Sequence, residues 1–251
     1  MDYLLFEYIK STFNYGINID SKQFSGGKPL KLLEKNHYNI YVSQITYEHL
    51  KHKQITYTNL LRKTLDIYSQ ILDNKIKFTI IDTMQNADIK VFWRKSSIKR
   101  AGVQYTEFNN GMTTLCMNIG VMDINGKNLT SNEVYHLLLH EFGHIMCLGH
   151  SPIETDVMCS SGDWSTTLTP NDIFVLKLIY KIGSGHSYNE VEELIKKEVK
   201  KFLHGECKSY KNSIPQNKNL IEDLTTIGEL NLYNNTLHNS ISINFPRNLR
   251  E

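Results

Sequence analysis

The chain has little of what marks a membrane or nucleic-acid-binding protein. Its net charge is only +2 over 251 residues, and charged side chains make up 22% of the sequence. A balance of this kind favours neither a nucleic acid nor an anionic membrane as partner. No apolar run reaches the roughly 20 residues that a transmembrane helix requires. We therefore expect no membrane span and no nucleic-acid partner.

Cysteine is scarce, and the four thiols follow no known framework. They lie at Cys116, Cys147, Cys159 and Cys207. Their spacing matches neither a zinc ribbon nor a dense set of disulfides. We expect them to be reduced, while a disulfide between Cys147 and Cys159 stays open as the alternative.

The N-terminus lacks the features of a secretory signal peptide. An acid stands at Asp2, no basic region precedes the apolar run, and Glu7 interrupts that run. Three explanations stay open: the protein remains inside the cell, it leaves by a route that needs no such signal, or the signal lies outside this sequence. The compartment is therefore unknown from the sequence.

The stretch from His140 to His150 reads H-E-x-x-H-x-x-C-x-x-H. Two histidines four residues apart lie on one face of a helix and can bind one zinc ion. His150 can complete the same site if the chain turns sharply after His144. Glu141 would then lie beside the metal as a general base. Because the third histidine has the required spacing, we favour a zinc site over a purely structural role for these residues.

Composition divides the chain into three parts. Residues 1–36 are mixed in character and contain a turn-rich run at 24–29, so we interpret them as an N-terminal extension, either a pro-segment or an arm. Residues 37–182 carry regular patterns and the histidine motif. Residues 183–251 begin with a Gly-Ser run. Over 188–204 we expect an amphipathic helix, followed by a loosely ordered tail rich in Asn, Ser and Lys.

Periodicity within residues 37–182 predicts both strands and helices. Apolar residues at helical spacing predict a helix over 57–73. Capping signals at Thr130 and at Thr169 open two further helices, the first of which carries the histidines. The predicted strands are 38–42, 77–81, 89–93, 103–108 and 113–119, with an Asn-Gly hairpin turn between the last two.

The histidine motif resembles the zinc signature of the metzincin peptidases. Its neighbours narrow the resemblance to the matrixins, the peptidases similar to matrix metalloproteinases. Met158 lies eight residues after His150, where matrixins place the methionine of their Met-turn. The resemblance covers about residues 37–182 and is strongest from 129 to 182. The matching runs are His140-Glu-Phe-Gly-His144, Leu148-Gly-His-Ser151, Asp156-Val-Met158, Leu168-Thr-Pro-Asn-Asp-Ile173 and Ala87-Asp-Ile-Lys-Val-Phe92.

The resemblance implies an α+β domain of the metzincin or zincin-like fold. Its core would be a twisted, mixed, five-stranded sheet with an active-site helix, a backing helix and a C-terminal helix. A protein or peptide substrate would bind in extended form along an edge strand, supplied by residues 113–119 or by the run before them. The resemblance also implies an extracellular protein, and we expect a monomer.

The resemblance further implies one catalytic zinc ion. His140, His144 and His150 would be its ligands, and Glu141 would be the catalytic base. Met158 would pack beneath the metal without binding it.

Several positions depart from the matrixin pattern. Cys147 stands where a glycine normally leaves the helix, so we expect either backbone strain of about 1–2 kcal/mol or a bend shifted toward Gly149. The loop 94–102 carries no ligand-type residue, so we expect no second zinc. Asp123 and Asn125 offer oxygens to a calcium ion, but Asp-x-Asn-Gly is also an ordinary turn, which is the interpretation we favour.

Two further roles stay open. Trp164, in the loop 159–168, either walls the pocket for the residue after the scissile bond or packs under the last helix. The propeptide cysteine of animal matrixins is absent from residues 1–36. Latency would therefore need another group, such as Asp20 or Cys207.

We therefore expect a zinc-dependent endopeptidase that hydrolyses peptide bonds of proteins with a zinc-bound water activated by Glu141. Two alternatives stay open, both with a structural zinc: a binding protein built on a peptidase fold, and a protease that processes only itself or one partner. The intact Glu141 argues against the binding protein, because recognition alone does not need that carboxylate.

Overall fold

A five-stranded mixed sheet forms the body of the computed structural model, which describes residues 2–15, 30–97, 101–109, 112–162 and 164–205. The strands are β1 (His37–Val42), β2 (Lys77–Ile81), β3 (Ile89–Lys95), β4 (Gly102–Asn109) and β5 (Met112–Met122), in the order β2-β1-β3-β5-β4. All neighbouring pairs are parallel except β4 and β5. Two runs were proposed for the edge strand, residues 113–119 and the run before them. The run before them is the edge strand, because β4 lies at the edge of the sheet and β5 lies inside it.

Five α-helices accompany the sheet. They are α1 (Asp2–Tyr15), α2 (Gln54–Ile71), α3 (Ser131–Ile145), α4 (Pro170–Ile182) and α5 (Tyr188–Leu203), with short 3-10 helices at Glu48–Lys53 and Met84–Asn86. Helix α2 packs against β2 and α3, while α3 packs against β4 and β5. Helices α1, α4 and α5 contact one another. The predicted α+β class with a mixed five-stranded sheet is confirmed.

Both capping signals read from the sequence are confirmed. The Thr130 side chain accepts from the Glu133 backbone N–H, and the Glu133 carboxylate accepts from the Thr130 N–H in return. Thr169 and Asp172 form the same reciprocal pair at the start of α4. Each box satisfies helix donors that would otherwise lack partners. The first box fixes where α3 begins, and therefore where its histidines lie.

Helix α1 was not predicted, and it contributes to the hydrophobic core. Its buried side chains are Leu5, Tyr8, Ile9, Thr12 and Phe13. Downstream, the Leu30 N–H donates to the His186 carbonyl at 2.9 Å, and the Gly185 N–H donates to the Leu30 carbonyl at 2.8 Å. The described residues all belong to one unit, Met1–Ile214. Segments before and after residues 37–182 therefore pack into the same core.

Several sequence predictions fall outside the described residues. These include Asp20 and Cys207, which were considered for latency, and Asn110 and Gly111 of the predicted hairpin turn. Across the described residues, no helix combines the length and apolarity needed to cross a membrane. Cys116, Cys147 and Cys159 are buried and are not disulfide-bonded within the described part of the chain.

Candidate metal centre

Three histidine side chains converge where helix α3 ends. His140 and His144 lie one turn apart on α3, and His150 follows in the loop after it. Their ligand-type nitrogens all lie within 4.8 Å of one another, and among the described residues no other group of three His, Cys, Asp or Glu side chains could hold a metal ion. A tetrahedral zinc holds nitrogen ligands about 2.0–2.1 Å away, hence roughly 3.4 Å apart. Small ring movements would therefore complete the site.

Two of the rings are oriented by backbone carbonyls. Nδ1 of His140 lies 2.8 Å from the Val157 carbonyl, and Nδ1 of His144 lies 2.8 Å from the Leu148 carbonyl. A carbonyl only accepts hydrogen bonds, so each Nδ1 carries the proton and donates it. Each Nε2 then keeps its lone pair for a metal, as in ligand histidines whose other nitrogen is hydrogen-bonded. The donor set therefore fits zinc.

Burial keeps the same two rings neutral. Desolvation by burial lowers the pKa of His140 to about 4, despite the opposing hydrogen bond to Val157. The pKa of His144 is also well below its usual value, first because of burial and then because of the neighbouring His140. A metal binds the neutral imidazole, so these environments favour ligation at neutral pH.

The sharp turn after α3 occurs at Cys147. Its φ is +70°, the left-handed conformation that favours glycine. Of the two expected outcomes, strain at Cys147 is therefore correct, and a bend shifted to Gly149 is not. The buried Cys147 thiol donates to the Lys31 carbonyl at 3.0 Å. This side chain thus links the turn to residues preceding β1.

Met158 lies directly beneath the helix that carries the ligands. It is fully buried, and a Cβ added to Gly143 would lie 2.3 Å from its sulfur. Gly143 lies on α3 between His140 and His144, and its lack of a side chain lets Met158 approach the helix between these two histidines. The Ser151 N–H donates to the Met158 carbonyl at 2.9 Å, which closes the loop between them.

Two buried carboxylates hold this loop in place. Asp156 accepts a hydrogen bond from the Ser151 hydroxyl at 2.6 Å. Ser151 directly follows His150 in the sequence. Asp172 accepts from the Val157 N–H at 3.0 Å, and the carbonyl of Val157 is the partner of His140. Burial and then the nearby Asp156 raise the pKa of Asp172 to about 6. Both carboxylates thus support ligand residues through the backbone.

The Glu141 carboxylate lies against the edge strand. Only 5% of Glu141 is exposed. A Cβ added to Gly102, the first residue of β4, would lie 2.5 Å from Glu141 Oε1 and 2.8 Å from its Cγ. Glycine at this position therefore leaves the space that the carboxylate occupies. The motif glutamate lies between the histidine helix and the edge of the sheet.

Trp164 lies beside the helix turn before the first ligand. Its ring meets the His136 ring edge to face, with centroids 5.2 Å apart, and 42% of Trp164 is exposed. His136 is 6.0 Å from the His140 ring, and its Nδ1 bonds to the Ser165 carbonyl at 2.7 Å. The loop that carries Trp164 is therefore joined to α3 through His136.

The possible calcium ligands form a turn. Asp123 Oδ1 accepts from the N–H groups of Asn125 and Lys127 at 2.9 and 2.8 Å. The Gly126 N–H also donates to the Asp123 carbonyl at 3.1 Å. These bonds are those of an aspartate-initiated turn. They supply no argument for calcium.

Sequence reasoning missed the contribution of α1 to this centre. Tyr15, at the end of α1, stacks on His144, and Thr12 bonds to Gly149. A signal was present, because the buried positions 5, 8, 9, 12 and 13 have helical spacing. Polar Tyr8 and Thr12 interrupt the apolar pattern, and nothing in the motif shows that this helix meets the histidines.

Comparisons with protein-family models and with curated proteins gave no match for this chain. The geometry of the centre and the resemblance of its residue runs are therefore the grounds for any functional conclusion.

Proposed function

We propose that this protein is a zinc-dependent endopeptidase of the metzincin type, similar to the matrixins. The observation that carries the proposal is the position of Glu141. Its buried carboxylate follows the first of three converging histidines and lies against the first residue of the edge strand. A binding site for metal alone needs the histidines but has no use for a buried acid next to a strand edge.

His140, His144 and His150 would hold the zinc through neutral nitrogens, leaving a fourth position open. When bound, zinc would lower the pKa of a water molecule from about 15.7 toward roughly 7 and polarise the scissile carbonyl. Glu141 would accept a proton as water attacks that carbonyl and pass it to the leaving nitrogen. One peptide bond is broken, and its products are a carboxylic acid and an amine.

The substrate would lie along β4 in extended form. An edge strand offers unpaired backbone groups, and a peptide can add to the sheet by pairing with them. This arrangement would bring the scissile bond past Glu141, since Gly102 begins β4. Trp164 would wall the pocket for the residue after the scissile bond, as its partly exposed ring beside His136 supports. Met158 would form the apolar floor beneath the histidines.

A casein digest with and without a zinc chelator tests the proposal, together with zinc content measured by elemental analysis. We expect one zinc per chain and cleavage that the chelator abolishes. Glu141→Ala should keep its zinc and lose cleavage by roughly 10²–10⁴-fold, the contribution of a general base. Gly102→Ala should also keep zinc, but it should cleave about 10²-fold more slowly, because its Cβ displaces the Glu141 carboxylate.

Two results would argue against the proposal. Cleavage by Glu141→Ala at the parent rate would remove the assigned base. A zinc-loaded parent that leaves casein and a peptide library intact would support a binding protein or a protease for a single target.

A further inference from the structure

Helix α1 reaches the candidate metal centre although it lies outside the residues that resemble the matrixins. The Tyr15 ring stacks on the His144 ring, with centroids 4.2 Å apart and planes inclined by 17°. The same ring meets His150 at 5.8 Å in an edge arrangement. One aromatic side chain therefore contacts two of the three histidines.

Thr12 holds the chain next to the third histidine. It is fully buried, and its Oγ1 accepts from the Gly149 N–H at 3.1 Å. A Cβ added to Gly149 would lie 2.5 Å from the Ser11 carbonyl carbon, so the α1 backbone packs directly on this residue. Since Gly149 precedes His150, the position of α1 restricts where that ring can lie.

Tyr8 connects α1 to the remaining histidine. Its hydroxyl donates to Asp172 Oδ1 at 2.9 Å. The other oxygen of Asp172 accepts from Val157, whose carbonyl accepts from Nδ1 of His140. Three hydrogen bonds thus lead from the helix to the ring.

These contacts exceed what the docking of a terminal helix needs. Leu5, Ile9 and Phe13 already supply a buried apolar surface. Tyr8, Thr12 and Tyr15 follow one another at spacings of four and three, which aligns them along one side of the helix. Each meets a different segment that carries or orients a histidine.

We propose that α1 is part of the metal centre, with Tyr15 and Thr12 as positioning residues for His144 and His150. The inference rests on the proposed zinc function. It makes residues 2–15 a support for the ligands, in contrast to a pro-segment whose removal would leave the site intact.

Zinc affinity of the full-length chain, measured by competition with a chromophoric chelator, tests this role independently of peptidase activity. Tyr15→Leu should weaken zinc binding about 10–100-fold, as changes to residues behind metal ligands typically do. Tyr15→Phe keeps the stacked ring, so its affinity should stay within about threefold of the parent. Thr12→Val should weaken binding by a similar factor of about 10, and Thr12→Ser should restore it.

Phe13→Leu is the matched control. Phe13 lies on the same helix and packs edge to face on Tyr188 of α5, with centroids 5.8 Å apart. It should lower the melting temperature without changing zinc affinity. The visible spectrum of the cobalt-substituted protein gives a second measurement, and Tyr15→Leu should alter its bands while Phe13→Leu should not.

Four outcomes would overturn the inference as stated. Parent-like zinc affinity in Tyr15→Leu would show that the stacked ring does not position the ligands. Equal weakening by Tyr15→Leu and Phe13→Leu would reduce the effect to general helix stability. Weakening by Tyr15→Phe as strong as that by Tyr15→Leu would transfer the role from the ring to the hydroxyl.

The two proposals can fail separately. If Tyr15→Leu weakens zinc binding while the parent cleaves no protein, the positioning role stands and the peptidase proposal fails. A parent that binds no zinc overturns both.

Discussion

Helices α1 and α5 both lie outside residues 37–182, yet they meet the rest of the protein in different ways. The first has 14 residues and the second has 16, and they contact each other and α4. Helix α1 buries two polar side chains, Tyr8 and Thr12, in specific hydrogen bonds that lead to the histidines. Helix α5 instead buries a narrow stripe with one carboxylate, Glu198, which pairs with lysines, and most of its other charged residues face solvent.

The attachments of α5 are those of a structural helix. Ile195 and Val199 are buried, and Phe202 stacks on Phe174 of α4 with centroids 4.3 Å apart. Glu198 pairs with Lys181 of α4 at 2.9 Å. Two helices of similar length that contact each other thus meet different parts of the protein, α1 two of the three histidines and α5 the hydrophobic core.

Zinc removal should give the largest difference between the two helices. Zinc at 1,000 times its dissociation constant stabilises the binding-competent structure by about 4 kcal/mol. A chelator should therefore speed amide exchange in the last turn of α1 and at Gly149, while the buried middle of α5 changes little. Hydrogen exchange with mass spectrometry measures both helices in one sample. Equal loss of protection in α5 would contradict the distinction, because the two helices would then open together.

Tyr8→Phe should have the next largest effect. The change leaves a buried carboxylate, Asp172, without one of its donors, and a hydrogen bond to a charged group contributes about 1.5–3 kcal/mol. Chemical denaturation should show a loss of that size. Tyr3→Phe is the control on the same helix, since Tyr3 is 70% exposed and should change stability by less than about 0.5 kcal/mol. Similar losses in both variants would refute a specific role for the Tyr8 hydroxyl.

The same contrast explains which parts the sequence predicted. Helix α5 was expected over 188–204 because its apolar residues recur on one face and charged residues cover the other. Helix α3 was expected because the capping box at Thr130 marks its start. Its two histidines are four residues apart, the spacing that places two metal-binding side chains on one face of a helix. In each case neighbours along the chain carry the signal.

Contacts between distant residues carry no such signal. Tyr15 and His144 are 129 positions apart, and no local pattern reports that their rings stack. Gly102 likewise looks like an ordinary loop glycine until the fold brings it against Glu141. The choice between Cys147 and Gly149 for the bend also depended on tertiary structure, because Gly149 is needed for the close approach of α1. The convergence of the three histidines was therefore predictable, whereas the residues that contact and support them were not.

Cys147 provides a smaller test, which concerns the backbone strain at the turn after α3. Cys147→Gly and Cys147→Ala both remove the thiol that donates to the Lys31 carbonyl. In the alanine variant a side chain still occupies φ +70°, which costs about 1–2 kcal/mol. The greater flexibility of glycine in the unfolded chain destabilises the glycine variant and offsets about 0.4–1 kcal/mol of that difference. Thermal denaturation should therefore show the alanine variant to be less stable by roughly 1 kcal/mol. Equal stabilities would mean that the turn relaxes in the variants.

The smallest effect should come from Glu198→Gln on α5. Glu198 is buried, but its two partners, Lys181 and Lys201, are 53% and 37% exposed. Water therefore screens both pairs, and ion pairs of this kind contribute about 0–1 kcal/mol. The hydrogen bond from Lys181 lowers the pKa of Glu198, even though burial opposes this. A lowered folded-state pKa means that the contribution is present above the usual glutamate range and disappears as the pH falls through the folded value. Denaturant titrations at pH 7 and pH 3 should show a difference from the parent of under about 1 kcal/mol that shrinks at the lower pH. Zinc affinity should be unchanged, and a clear loss of zinc binding would show that α5 also supports the metal centre.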